Sequence, residues 1–239
     1  MHVTAGTVLH GSHLPLRYWF WAAYLMGTLK PGVSALQLQR QLGIGSYRSA
    51  LYLCRRLRAA MVNPTREPLK GVVEVDVTYV GGEAHEKRWR WALDKVPVIV
   101  AVENRGEYTG RIRMKAIETT GHWETFSFIT HNIAPGSQLN TDGGAEFEGI
   151  DKQGYVHRRR IQKKPADAGR LLPWVHRVIS NLKTWLLGTH HGVTPEYLQG
   201  YLDEFTFRYN RRAYWEAAFL SLLVLSTRIK LPRAATQNR

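Results

Sequence analysis

The stretch GVVEVDVTYVGG, residues 71–82, decides the architecture. Valines alternate with Glu74, Asp76 and Thr78, and a glycine pair closes the run. That is the pattern of a β-strand with one polar face. A carboxylate at the centre of an apolar strand is costly unless something pairs with it, so Asp76 is the first residue to ask a function of.

Downstream the strand pattern continues. Val96 to Val102 is an unbroken apolar run suited to a buried strand, and Asn104-Arg105-Gly106 is the turn that follows it. Arg111 to Ile117 reads as a third strand. Thr119-Thr120-Gly121 leads into a helix over His122 to His131, and Pro135-Gly136 into a short fourth strand, Ser137 to Thr141, which ends at Asp142-Gly143-Gly144. Tyr155 to Ile161 reads as a basic fifth strand. Pro173 opens a helix through Trp174, Val178, Leu182 and Trp185 to Gly188. This order predicts an α/β chain with an RNase H-like mixed five-stranded sheet flanked by helices, residues 71–192.

Upstream the period is helical. Leu14 to Met26 is aromatic-rich, Ser34 is placed to cap a helix to Leu42, and Gly43-Ile44-Gly45 breaks it. Ser46 then opens a helix with Tyr47, Ala50, Leu51, Cys54, Leu57 and Met61 on one face, and Arg48, Arg55 and Arg58 mostly off it. Two short helices about a glycine turn, the second rich in arginine, fit a helix-turn-helix over residues 1–70. A plain αα-hairpin with a solvated basic face has the same pattern. Asn63-Pro64 and Glu67-Pro68 mark the linker. The tail, residues 193–239, reads as helices over Pro195 to Asn210 and Ala213 to Ile229 packed on the sheet domain.

Charge follows these divisions. The formal net charge is +14, distributed as +8 over residues 1–70, −4 over 71–150 and +10 over 151–239. Two basic flanks around an acidic middle suit a polyanion-binding protein with a carboxylate-lined site, nucleic acid being the first partner to test, though a solvated surface of uneven charge has the same layout. The single cysteine, Cys54, excludes an internal disulfide and a four-cysteine zinc site. Leu14 to Met26 and Ala213 to Thr227 fall short of the roughly 20 apolar residues of a membrane span. No charged start with an apolar run and cleavage site marks a secretory signal. The expectation is a cytoplasmic protein that engages no membrane.

Asp76 on the first strand and Asp142 at the end of the fourth become neighbours if those strands pair at the sheet centre. A carboxylate pair there suits two Mg²⁺ or Mn²⁺ ions acting on a phosphodiester.

The 71–82 run, the Thr141-Asp142-Gly143 turn, VHRVISNLKTWLLGTHHG at 175–192 and YLDEFTFRYNRR at 201–212 together resemble the IS1595 family of bacterial insertion-sequence transposases, with its ISXO2-like catalytic domain. The resemblance runs from about residue 3 to about residue 229. It implies a DDE-type transposase that cleaves and transfers strands of double-stranded DNA at element ends with divalent metal, acting as a homo-oligomer that holds two ends. The subgroup most similar carries a D-D-N-K pattern whose asparagine lies seven residues before its lysine. Counting back from Lys183 lands on His176, and seven residues turn about 700°, so the two share a helix face. The resemblance thus implies a metal set of Asp76, Asp142 and His176, with Lys183 holding a DNA phosphate. Glu204 and Arg208 match an acidic and a basic position that follow the lysine, and Glu204 stands as a further catalytic candidate. Arg211 and Arg212 join Arg48, Arg55, Arg58 and Arg208 as candidate DNA contacts.

The chain departs from the family in two places. Val77 stands where an acidic residue commonly follows the first aspartate, and the sequence opens at Met1-His2-Val3, where relatives carry a zinc ribbon. The alternative reading is therefore a truncated, catalytically impaired transposase remnant that only binds DNA.

Overall fold

The computed structural model describes residues 4–81, 95–161 and 168–228. Glycine 82 of the opening motif and the helix end expected at Ile229 lie outside them. The chain forms two compact units, Arg66–Leu202 and a second made of Met1–Thr65 with Asp203–Arg239.

In the first unit, strands β1 (Val72–Val80), β2 (Val96–Asn104), β3 (Thr109–Ala116), β4 (Gln138–Thr141) and β5 (Val156–Arg159) form one sheet in the order β3-β2-β1-β4-β5. The first three strands pair antiparallel, and β4 and β5 join parallel to β1. This is the expected RNase H-like arrangement, with β1 at its centre. One face packs Val73, Val75, Ile99, Ala101 and Leu139 against Phe128 and Ile129 of the helix His122–Asn132. On the other, Val175, Val178, Ile179 and Leu182 are buried in the helix Pro173–Trp185 that lies against β1 and β2.

That second layer covers the polar face of β1. Glu74, Asp76 and Thr78 are all buried. Glu74 is accommodated by hydrogen bonds: one carboxylate oxygen accepts from Asn104 Nδ2 at 2.9 Å, and the other from the backbone N–H groups of Trp174 and Val175, each at 2.9 Å. A strand residue thus caps the helix Pro173–Trp185, whose positive end favours a carboxylate. Glu103, on β2, is buried among donors from Arg111, Arg105 and the Lys70 N–H. Burial alone would push its carboxyl up, but the Arg111 guanidinium and these N–H groups hold it down at about 2.

In the helical unit, α1 (Leu16–Thr28), α2 (Ala35–Leu42) and α3 (Tyr47–Ala60) come first in the chain. Within the sheet unit we number His122–Asn132 α4, Ala168–Leu171 α5 and Pro173–Trp185 α6. Helices α7 (Pro195–Tyr209) and α8 (Trp215–Arg228) follow, and the division between the units falls within α7. Ser34 caps α2 by accepting the Gln37 N–H at 3.2 Å, and Gly43 ends it in the left-handed region at φ 65°. Ser46 opens α3 but makes no side-chain capping bond.

The tail does not belong where it was expected. Phe207, Ala218 and Leu222 are buried in one core with Trp19, Ala22, Met26, Leu38, Leu53 and Leu57, so residues 203–228 complete the amino-terminal helices. The polar residues of this core explain the grouping. Arg58 Nε donates to Glu204 Oε2 at 2.8 Å, with side-chain exposures of 4% and 0%. Arg208 Nη1 lies 3.9 Å from Glu204 Oε1, and its Nη2 donates to the carbonyls of Leu29 and Lys30. Arg56 donates to the carbonyls of Val8 and His10. A buried ion pair is destabilised strongly when one partner is removed, because the other charge is left uncompensated. Glu204→Ala is therefore expected to cost about 3 kcal/mol of stability, read as a lowered urea midpoint. A Glu204→Ala protein that unfolds at the wild-type midpoint would overturn this assignment.

Candidate active site

The β1/β4 register sets the site. Val72 pairs with Gln138, Val73 with Leu139 and Glu74 with Asn140. Continuing that offset by two residues places Asp142, the first residue beyond β4, across from Asp76. Parallel neighbours at matched positions project from the same face, with strands about 4.8 Å apart. The two aspartates therefore meet on the face that carries α6. Asp142 is exposed, and its Oδ1 accepts the Gly144 N–H at 3.0 Å. Asp76 is 9% exposed, and its Oδ1 accepts the Val77 N–H at 2.8 Å.

The loop after β4 is fixed from both sides. Thr141 Oγ1 and His157 Nε2 are hydrogen-bonded at 2.9 Å, the Gly143 N–H donates to Thr141 Oγ1 at 3.2 Å, and Gly143 takes φ 89°, a conformation that favours glycine.

His176 arrives from α6. Because Glu74 holds the N–H groups of Trp174 and Val175, the next residue is delivered beside Asp76, two positions along the same strand face. His176 Nδ1 lies 3.7 Å from Asp76 Oδ2. Burial pushes the Asp76 carboxyl up, the Asp142 charge pushes it further, and His176 and the Val77 N–H pull it back, leaving it raised to about 6. The Glu146 charge also reaches Asp76 and raises it. Lys183 is exposed on α6, two turns and about 10 Å further along the helix axis.

The other candidates lie in the helical unit. Glu204, Arg58 and Arg208 form the buried charge cluster described above, which corrects their reading as a catalytic acid and DNA contacts: these groups hold the helices together. Arg48 is exposed and Arg55 half-buried on α3. Arg211 lies over the Phe207 ring at 3.9 Å, and Arg212 over the Tyr209 ring at 4.2 Å. His190, in the family-like 175–192 motif, packs against the rings of Trp185 and Tyr201. Sequence reasoning passed over Glu74, His157 and Glu146. Glu74 shares the alternation of Asp76, and Glu146 lies four residues after Asp142, but neither spacing discloses which elements pack there.

Among the described residues, no three His, Cys, Asp or Glu side chains are gathered so as to hold a metal ion. The aspartate pair nevertheless has the right chemistry for one. Mg²⁺ takes one or two carboxylates and completes its shell with water and substrate phosphate, and a cation would relieve the Asp142 repulsion that adds to burial in raising Asp76.

The family description "ISXO2-like transposase domain" matches residues 68–210. The chain belongs to the IS1595 transposase family. Among solved structures, this transposase is similar to a chain of the simian T-cell lymphotropic virus intasome in complex with PP2A regulatory subunit B56 gamma. The identity is 16%, the TM-score is 0.39, and the likeness covers 71% of this chain and 67% of that one. No curated protein matches the transposase. Among the described residues, no helix is long and apolar enough to cross a membrane.

The raised Asp76 has a consequence for stability. A carboxylate that binds its proton more tightly when folded favours the fold below its unfolded pKa of 3.8, and that contribution is lost as pH rises through about 6. Without divalent cation, Asp76→Asn is expected to stabilise the protein by about 2 kcal/mol at neutral pH, with the gain vanishing below 3.8. Urea unfolding at the two pH values measures it, and an equal effect at both would show that Asp76 is not strained by charge.

Proposed function

We propose that this transposase cuts DNA strands at the ends of an insertion sequence and joins the freed 3′ ends to target DNA, with Asp76 and Asp142 holding divalent cation. The alignment of the two aspartates across β1 and β4, in a transposase-family domain, is the observation that carries this reading. Mg²⁺ or Mn²⁺, when bound, supplies the charge that activates an attacking oxygen and stabilises a leaving one. The chain's own residues position. Asp76 is held from one side by His176, which orients its carboxylate and occupies the place of a third ligand. Asp142 is held by the Gly144 N–H. Lys183 offers an exposed point charge to a DNA phosphate. Most of the rate enhancement in such a site comes from fixed charge and orientation.

Arg48 and Arg55 on α3, with Arg211 and Arg212 after α7, are the cations we assign to DNA phosphates. Holding two DNA ends for joining calls for at least two copies of the chain. The reading as a remnant that only binds DNA draws on Val77, which stands where an acidic residue commonly follows the first aspartate.

Incubation of the purified protein with DNA from both flanks of its gene and Mg²⁺ or Mn²⁺ is expected to give strand cleavage. Asp76→Ala and Asp142→Ala should each lower that cleavage at least about a hundredfold. Cleavage untouched by both would overturn the site, and salt-sensitive binding without cleavage would establish the remnant. Arg48→Ala is expected to weaken DNA binding and to lower the slope of log affinity against log salt by about one. An unchanged slope would remove Arg48 from the DNA surface.

A further inference from the structure

We infer that His157 is a positioning residue for Asp142, acting as a neutral imidazole through the hydroxyl of Thr141. This rests on the assignment of Asp142 as a cation ligand.

Asp142 stands between two residues that are joined through one atom. Thr141 precedes it, and Thr141 Oγ1 accepts the N–H of Gly143, the residue after it, at 3.2 Å. This side-chain turn closes over the Asp142 backbone. Thr141 is fully buried, and its carbonyl is pinned by the Arg160 N–H at 2.7 Å. The placing of Asp142 at the end of β4 therefore depends on where Thr141 Oγ1 points. Thr141 alternates with Asp142 along the chain, and it shares a sheet face with Leu139, which packs against Phe128 and Ile129. The turn is thus built on the face opposite the aspartates.

His157 decides that direction. It pairs with Leu139 across β4 and β5, and its Nε2 lies 2.9 Å from Thr141 Oγ1. A hydroxyl has one hydrogen to give and two lone pairs to receive. The Gly143 N–H takes one lone pair, and among the described residues the hydroxyl hydrogen has no acceptor other than His157 Nε2. A buried hydroxyl that fails to donate is costly, so the hydrogen goes to Nε2 and the ring proton sits on Nδ1. The surroundings agree: burial, and then the Arg159 charge, push the imidazole toward its neutral form against the opposing Asp151 charge. The bonds run one way, from the Gly143 N–H to Thr141 and from Thr141 to His157. An apolar group in place of the imidazole leaves the hydroxyl without an acceptor and Oγ1 free to turn away from Gly143. His157 thus acts on the site from beneath the sheet, without touching the ion.

Mn²⁺ binding to the full chain, followed by the electron paramagnetic resonance signal of the free ion, tests the inference without DNA or turnover. His157→Leu is expected to weaken binding about tenfold. Thr141→Val, which keeps the shape and removes the hydroxyl, should do the same, and the double variant should be no worse than either single one, because both changes remove one link. His157→Gln, whose amide oxygen accepts from the hydroxyl, should restore most of the affinity. Wild-type affinity in His157→Leu, with binding lost in Asp142→Asn, would overturn the role of His157 and leave the aspartate site standing. Wild-type affinity in Asp142→Asn would overturn the cation site itself. Additive losses from His157→Leu and Thr141→Val, or no recovery in His157→Gln, would show that His157 does not act through the hydroxyl. Unchanged thermal melting of the variants keeps a loss of affinity from being a loss of fold. Nitrogen-15 resonances of the His157 ring in the unaltered chain give a reading that needs no variant: the proton is expected on Nδ1, and a proton on Nε2 would overturn the inference.

Discussion

Glu74 lies in the central strand with both carboxylate oxygens engaged, one by Asn104 and the other by the first N–H groups of α6. Burial pushes its carboxyl up, and the helix terminus offsets that cost by presenting donors that nothing else in the helix can use. The bond fixes α6 along its axis to within a fraction of a turn. Everything α6 contributes is therefore placed relative to β1: His176 beside Asp76, and Val175, Val178 and Leu182 over the sheet. Slippage of α6 by one residue would move His176 about 100° around the helix and leave Asp76 facing its acidic neighbours alone. The geometry of the acidic site is held by an acid that is not in it.

The helical unit uses charge differently. Arg56, Arg58 and Arg208 are turned inward, onto backbone carbonyls and Glu204. The net charge of +14 thus mixes cations that can meet a polyanion with cations that are part of the core. Arg48 and Arg58 are ten residues apart on one amphipathic helix and have opposite fates.

This contrast marks what could be read from the sequence. The sheet order followed from local signals, since the valine alternation of 71–82, the apolar run of 96–102 and the turn glycines each act over a few residues. The pairing of Asp76 with Asp142 followed from that order. Arg58 was misread because a guanidinium on a polar helix face looks solvated until the distant partner, here 146 residues away, is known. The same holds for Glu74, whose helix partners lie 100 and 101 residues further on, and for the tail, whose apolar face fits any apolar surface. Helix period says that a face is buried, and only tertiary packing says against what.

The core shared by α1, α3 and α8 also imposes an order on synthesis. The amino-terminal helices leave the ribosome long before Phe207, Ala218 and Leu222 exist, so their apolar faces and the Arg58 guanidinium stay uncovered while the entire sheet unit is made. The segment proposed to grip DNA reaches its final form only when α8 has been translated. A nascent chain that stops short of α8 carries both aspartates and their sheet but an unfinished helical unit.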